Sequence, residues 1–168
     1  MQSEQILSSP SPKELAVWRV FLECSYALID ILDDELQAGA DMTLRWYDVL
    51  VKLEEAESPV RMNELAGRIL ASKSGLTRVI DRMEEAELVE RRRPSEDRRA
   101  IEVVATAKGL QALGAARRIH RHGIHEHFTR HLDARDLARL RDVLEPVHEH
   151  VRPLRPGRIS GAPSTRRS

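Results

Sequence analysis

The segment from Met62 to Gly109 changes its hydrophobic period twice, and this constrains the fold more than any other feature of the chain. Met62–Ile69 and Ser72–Ala86 carry apolar residues at helical spacing, with Leu65 and Ile69 in the first run and Leu76, Val79, Ile80 and Met83 in the second. Only Leu70-Ala71 lies between them, so the chain must turn sharply, and the small Ala66 suits the point where the two helices cross. After Ala86 the period falls to two. Leu88–Arg93 and Ala100–Ala105 read as strands around Pro94-Ser-Glu-Asp97, with Ile101, Val103 and Ala105 alternating against Glu102 and Val104. Thr106 then caps a new helical pattern.

The flanks are helical. Pro12 suits a first helical turn with Ser11 as its cap. Leu15, Trp18, Leu22, Ser25, Ile29, Leu32 and Leu36 follow on one face, and Gly39 is the expected stop. Phe21, Tyr26, Ala27, Leu28 and Ile31 widen that face beyond one stripe, which suggests a dimer interface. Asp41 or Thr43 caps a second helix holding Leu44, Tyr47, Leu50, Val51 and Leu53, broken by Ser58-Pro59. A helix from Ala107 to His131 and another from Asp133 to Val151, with Leu137, Leu140, Leu144 and Val147 on one face, complete the pattern. Pro146 should kink the last helix or fall near its frayed end.

The expected fold is therefore mainly α with a small β wing: a winged helix-turn-helix in the order α-α-α-α-β-β-α-α. Residues 12–151 would form one domain, with a winged-helix lobe over 41–108 and dimerisation helices at 12–39 and 109–151. Residues 1–11 and the Arg-rich 152–168 read as disordered ends.

Charge is uneven. The net charge is zero, yet residues 1–60 hold 12 acids and 4 bases, residues 61–108 hold 9 acids and 11 bases, and residues 152–168 hold five arginines and no acid. A neutral chain with this distribution still presents a basic face. No run approaches the ~20 apolar residues of a membrane span, and nothing near the N-terminus resembles a signal peptide, so a cytoplasmic protein without a membrane partner is expected. One cysteine excludes an internal disulfide framework. There is no glycine-rich phosphate loop and no nucleophile beside a base, so no cofactor and no enzymatic activity are expected.

The second helix of the pair decides the chemistry. With its apolar residues turned inward, Lys73, Ser74, Thr77, Arg78 and Asp81 face outward, and Ser72 sits at its cap. Short hydroxyls allow close approach to bases and phosphates, and Lys and Arg reach guanine or the backbone. Helix N-termini also favour a phosphate. The hairpin adds Arg91, Arg92, Arg93, Arg98 and Arg99, a residue type suited to narrow minor grooves. Asp97, two residues before Arg99, is placed to hold that guanidinium.

These motifs resemble the MarR (multiple antibiotic resistance regulator) family of winged-helix transcription factors. The matching pieces are Met62-Asn-Glu-Leu-Ala66, Ser72-Lys-Ser-Gly-Leu-Thr-Arg78, Val79-Ile-Asp-Arg-Met83, Leu88-Val-Glu-Arg91, Asp97-Arg-Arg99 and Ala105-Thr-Ala-Lys-Gly109. The resemblance implies a homodimer bound to a pseudo-palindromic site on double-stranded DNA, acting as a repressor that responds to a small aromatic or phenolic effector. It implies that Ser72, Lys73, Ser74, Thr77, Arg78 and Arg82 lie in or beside the major groove, and that Arg99, oriented by Asp97 and accompanied by Arg98, enters the minor groove. Two positions depart from the family pattern. Glu87 stands where a glycine is usual, implying a strained left-handed residue, and Ala105 replaces a leucine. A protein-protein module built on the same wing is the rival reading, and a redox- or metal-responsive regulator a further one.

Three other signals have plainer explanations. His120, His122, His125, His127 and His131 read first as solvated or interfacial side chains, with pH-sensitive contacts or metal binding as alternatives. Cys24 reads as a buried, inert thiol, with redox sensing as its alternative. Trp18, Trp46 and Tyr47 read as core, although the resemblance would allow them to line an effector pocket.

Overall fold

The computed structural model describes residues 9–56, 58–69, 73–93 and 100–154; the side chains of Arg68, Lys73 and Ser74 lie outside that description. Helix α1 spans Pro12–Ala40. Its first turn closes as a capping box: Ser11 Oγ accepts from the Glu14 N–H at 3.3 Å, and Glu14 Oε2 accepts from the Ser11 N–H at 2.7 Å. Gly39 is not the stop. It lies inside the helix against Ile119, where a Cβ would come within 2.6 Å of the isoleucine Cδ1. Asp41 ends the helix instead, at φ 48°.

Helix α2 (Leu44–Ala56) is capped twice, by Thr43 Oγ1 on the Trp46 N–H at 3.1 Å and by Asp33 Oδ1 of α1 on the Leu44 N–H at 2.6 Å. It buries Tyr47, Val49, Leu50 and Leu53. Strand β1 (Val60–Arg61) follows and is an addition to the expected order. A two-residue strand shows no period, so only its pairing reveals it. Helices α3 (Met62–Arg68) and α4 (Lys73–Glu85) form the expected pair, with Leu65, Leu76, Ile80 and Met83 fully buried between them and the sheet.

Strands β2 (Val89–Arg92) and β3 (Glu102–Ala105) pair antiparallel, with Val89 opposite Ala105 and Arg91 opposite Val103. With β1 on the other side of β3, the sheet order is β1-β3-β2. Ile101 was expected on the inner face but is exposed, because pairing on β3 starts at Glu102; its carbonyl instead accepts the Met62 N–H at 3.0 Å. Helix α5 (Ala107–His127) is shorter than expected. Phe128 leaves helical geometry, and Thr129–His131 form a separate 3-10 turn. Helix α6 (Ala134–Val151) is capped by Asp133 and continues through Pro146.

The core joins the C-terminal third of α1, α2, the first half of α5 and the winged-helix lobe. Near Gly123 of α5, α1 and α5 approach closely: a Cβ there would lie 2.6 Å from Leu32 Cδ2. The rest of α1 extends beyond this core, so Leu15, Val17, Val20, Phe21 and Ile29 are exposed. Trp18 is 55% exposed and stacks on Phe21. Cys24 is exposed too, contrary to expectation, because it lies on this projecting part. On α6, Val143, Val147 and Val151 are similarly exposed. Among the described residues no helix is long and apolar enough to cross a membrane.

Candidate nucleic-acid interface

Burial of Leu76, Ile80 and Met83 turns the opposite face of α4 outward, and Thr77, Arg78, Asp81 and Arg82 are exposed there. Lys73 and Ser74 lie in the first turn of the same helix. Ser72, Asp97, Arg98 and Arg99 lie outside the described residues.

At the end of α4 the Leu88 N–H reaches back to the Met83 carbonyl at 2.8 Å, which closes the helix around a left-handed residue. That residue is Glu87, at φ 62°. Its carboxylate is held below the usual range by a hydrogen bond and charge from Lys108, 2.8 Å away. The Thr106 hydroxyl donates to the Glu87 carbonyl at 2.7 Å and accepts from the Gly109 N–H at 2.9 Å. A Cβ on Gly109 would lie 2.1 Å from the Leu88 carbonyl oxygen. The Thr-x-x-Gly motif is therefore a joint: its hydroxyl ties the wing's corner to α5, and its glycine lets helix and corner touch.

The hairpin arginines do not act alike. Arg91 turns back onto α4, where it meets Glu84 and Asp81 at 2.5 Å each. Arg92 pairs loosely with Glu90 at 3.3 Å, and Arg93 is exposed. Asp81, expected on the free outer face, is thus occupied. The signal was present in the sequence: Val89 and Arg91 have the same parity on a strand, so a buried Val89 turns Arg91 inward as well.

Three histidines of α5 and the following turn, His120, His127 and His131, have separate partners. His120 lies against the Tyr47 ring, with centroids 4.5 Å apart. Burial pushes its pKa below the ordinary value, and the nearby Asp48 carboxylate opposes that push. Desolvation raises Asp48 in turn, against the charges of His120, Lys52 and Arg45. His127 meets Glu35 of α1 at 2.6 Å, whereas His131 meets the Glu126 carbonyl at 3.0 Å. The i,i+4 pair therefore faces two different elements. Tyr47 belongs to the core, while Trp18 does not.

A sequence model of the MarR family matches residues 42–101. The MarR family transcriptional regulator AbsC from Streptomyces coelicolor is 35% identical, with a TM-score of 0.79 over 87% of this chain and 99% of its own. Another regulator of the family from the same organism, solved in complex with DNA, is 28% identical, with a TM-score of 0.80 over 88% and 92%. An organohalide-sensing regulator bound to 2,4-dichlorophenol shares the fold at 15% identity, with a TM-score of 0.76 over 90% and 91%. No curated protein matches by sequence. The chain belongs to the MarR family, and its fold is the winged helix of that family's transcriptional regulators.

Proposed function

We propose that the protein is a sequence-specific DNA-binding transcriptional regulator, a homodimer that represses nearby genes from a pseudo-palindromic operator. The observation that carries this reading is the outward face of α4, where Thr77, Arg78 and Arg82 stand exposed over buried Leu76, Ile80 and Met83. That face offers a short hydroxyl and two guanidinium groups and, among its described residues, no exposed aromatic anchor of the kind a protein partner favours. The DNA complex of the 28% identical regulator supports the same reading. Ser72, Lys73 and Ser74 would extend the major-groove contacts, and Asp97, Arg98 and Arg99 would form the minor-groove tip of the wing.

The exposed apolar residues of α1 and α6 support dimerisation, since a monomer would leave Val17, Trp18, Val20 and Val143 in water. Residues 12–39 and 109–151 then make the dimer, and residues 41–108 read DNA. The 2,4-dichlorophenol bound to the organohalide-sensing regulator supports a phenolic effector. An effector that changes the spacing of the two α4 helices would release the operator, because both half-sites must be engaged together.

The test is selection of fragments from sheared genomic DNA by the purified protein at near-physiological salt. Enriched fragments should share an inverted repeat with half-sites about one helical turn apart. Salt-sensitive binding with no shared site would refute sequence-specific regulation, and absence of binding would favour a protein partner.

A further inference from the structure

The fork of Arg91 reaches farther than a surface ion pair. Nη1 donates to Glu84 Oε2 and Nη2 to Asp81 Oδ1, each at 2.5 Å, and Nη2 also approaches the Thr77 carbonyl at 3.4 Å. The Arg91 backbone N–H donates to the other Glu84 oxygen, Oε1, at 3.0 Å. One strand residue is thus bound to α4 at three positions spanning two turns, 77, 81 and 84, which share one helix face. The Arg91 side chain is only 23% exposed. Burial works against its charge, but the bonds and charges of Asp81 and Glu84 prevail and raise its pKa above the ordinary value.

We propose that Arg91 is a positioning residue for DNA recognition: it touches no DNA but locks helix α4 to strand β2, so that recognition helix and wing meet the duplex as one body. This rests on the DNA-binding reading above. The lock sits where it has most leverage. Arg91 opposes Val103 on β3, and the chain leaves β2 for the wing tip after Arg92. The same bonds hold two carboxylates of the reading helix against a cation, which keeps their charge from repelling phosphate. Lysine cannot substitute fully, because a single ammonium lacks the planar fork that spans both acids.

The test uses full-length Glu84→Gln, Asp81→Asn, Arg91→Gln and Arg91→Lys, with binding to the selected operator and to random duplex measured across a salt series. Glu84→Gln is the decisive variant. Removing a carboxylate beside DNA should tighten binding if that acid is merely solvated. The lock predicts the opposite: operator affinity falls about 3- to 10-fold while random-duplex affinity holds or rises. Asp81→Asn should behave alike, and Arg91→Lys should lie between Arg91→Gln and wild type. Thermal midpoints show that each variant is folded at the assay temperature, and a loss of stability alone would leave the ratio of operator to random binding unchanged. Operator binding by Glu84→Gln equal to or tighter than wild type would overturn the proposal. So would an Arg91→Gln variant that weakens both duplexes equally and lowers the salt slope by about 1, the mark of a phosphate contact. If the wild type selects no operator, the DNA-binding reading fails first and the lock falls with it.

Discussion

Thr106→Val tests the joint between wing and α5 with little change of shape. The hydroxyl makes two bonds, accepting from the Gly109 N–H at 2.9 Å and donating to a backbone carbonyl at 2.7 Å. Loss of a helix N-cap costs about 1 kcal/mol. Loss of the second bond costs about 0.5–1.5 kcal/mol. Valine matches threonine in volume and branching, so no cavity adds to these terms. The expected loss is about 1.5–2.5 kcal/mol, which for a chain of this size lowers the thermal midpoint by roughly 3–10 °C. Thr106→Ser keeps both bonds and should stay within about 0.5 kcal/mol of wild type. Urea and thermal unfolding at one fixed protein concentration measure this, because association would otherwise shift the midpoint. A valine variant as stable as the serine variant would show that the hydroxyl bonds contribute nothing net and would refute the reasoning.

Gly109→Ala should be far more damaging, costing about 3 kcal/mol or more, because its methyl would meet the Leu88 backbone and not a side chain that can move aside; yield of soluble protein and circular dichroism would show it. Glu87→Gly should raise the thermal midpoint by about 2–4 °C by relieving the left-handed backbone, with operator affinity unchanged; a lower midpoint would mean that the Lys108 pair outweighs the strain. His120 has a folded pKa below its unfolded value, so its contribution is fully present above the unfolded pKa of about 6.5 and is lost as pH falls below that toward the folded pKa. His120→Gln should therefore flatten the decline in stability between about pH 7.5 and 5.5 seen in urea titrations, and an unchanged decline would place the acid-sensitive group elsewhere.

Helical periods and caps made most of the fold legible from residues alone. Ser11, Thr106 and Asp133 cap the helices they are expected to cap, and of the two candidates Asp41 and Thr43 it is Thr43 that caps α2. What escaped was tertiary in origin. Gly39 reads as a helix stop in isolation, yet its missing Cβ serves the contact with Ile119. Val49 sits off the expected α2 stripe and is nevertheless fully buried, because α2 is enclosed by more than one neighbour. Cys24 reads as buried because it lies on an apolar helix, but among the described residues none covers that part of α1, and Cys24 is exposed. On the candidate interface, Thr77, Arg78 and Arg82 face outward as the period requires. Arg91 was grouped with the hairpin's other arginines because composition counts charges, whereas strand parity assigns them to faces.

Helix α5 has a mechanical consequence. One end is pinned at Gly109 beneath the wing's corner, and the other passes Gly123 to reach Glu35 of α1 through His127. Its 21 residues make a bar about 30 Å long. A tilt of about 5° about the pinned end swings the far end by about 3 Å. Run in reverse, a displacement of about 3 Å at the His127 end would reach the hairpin as a turn of only about 5°, with almost no travel.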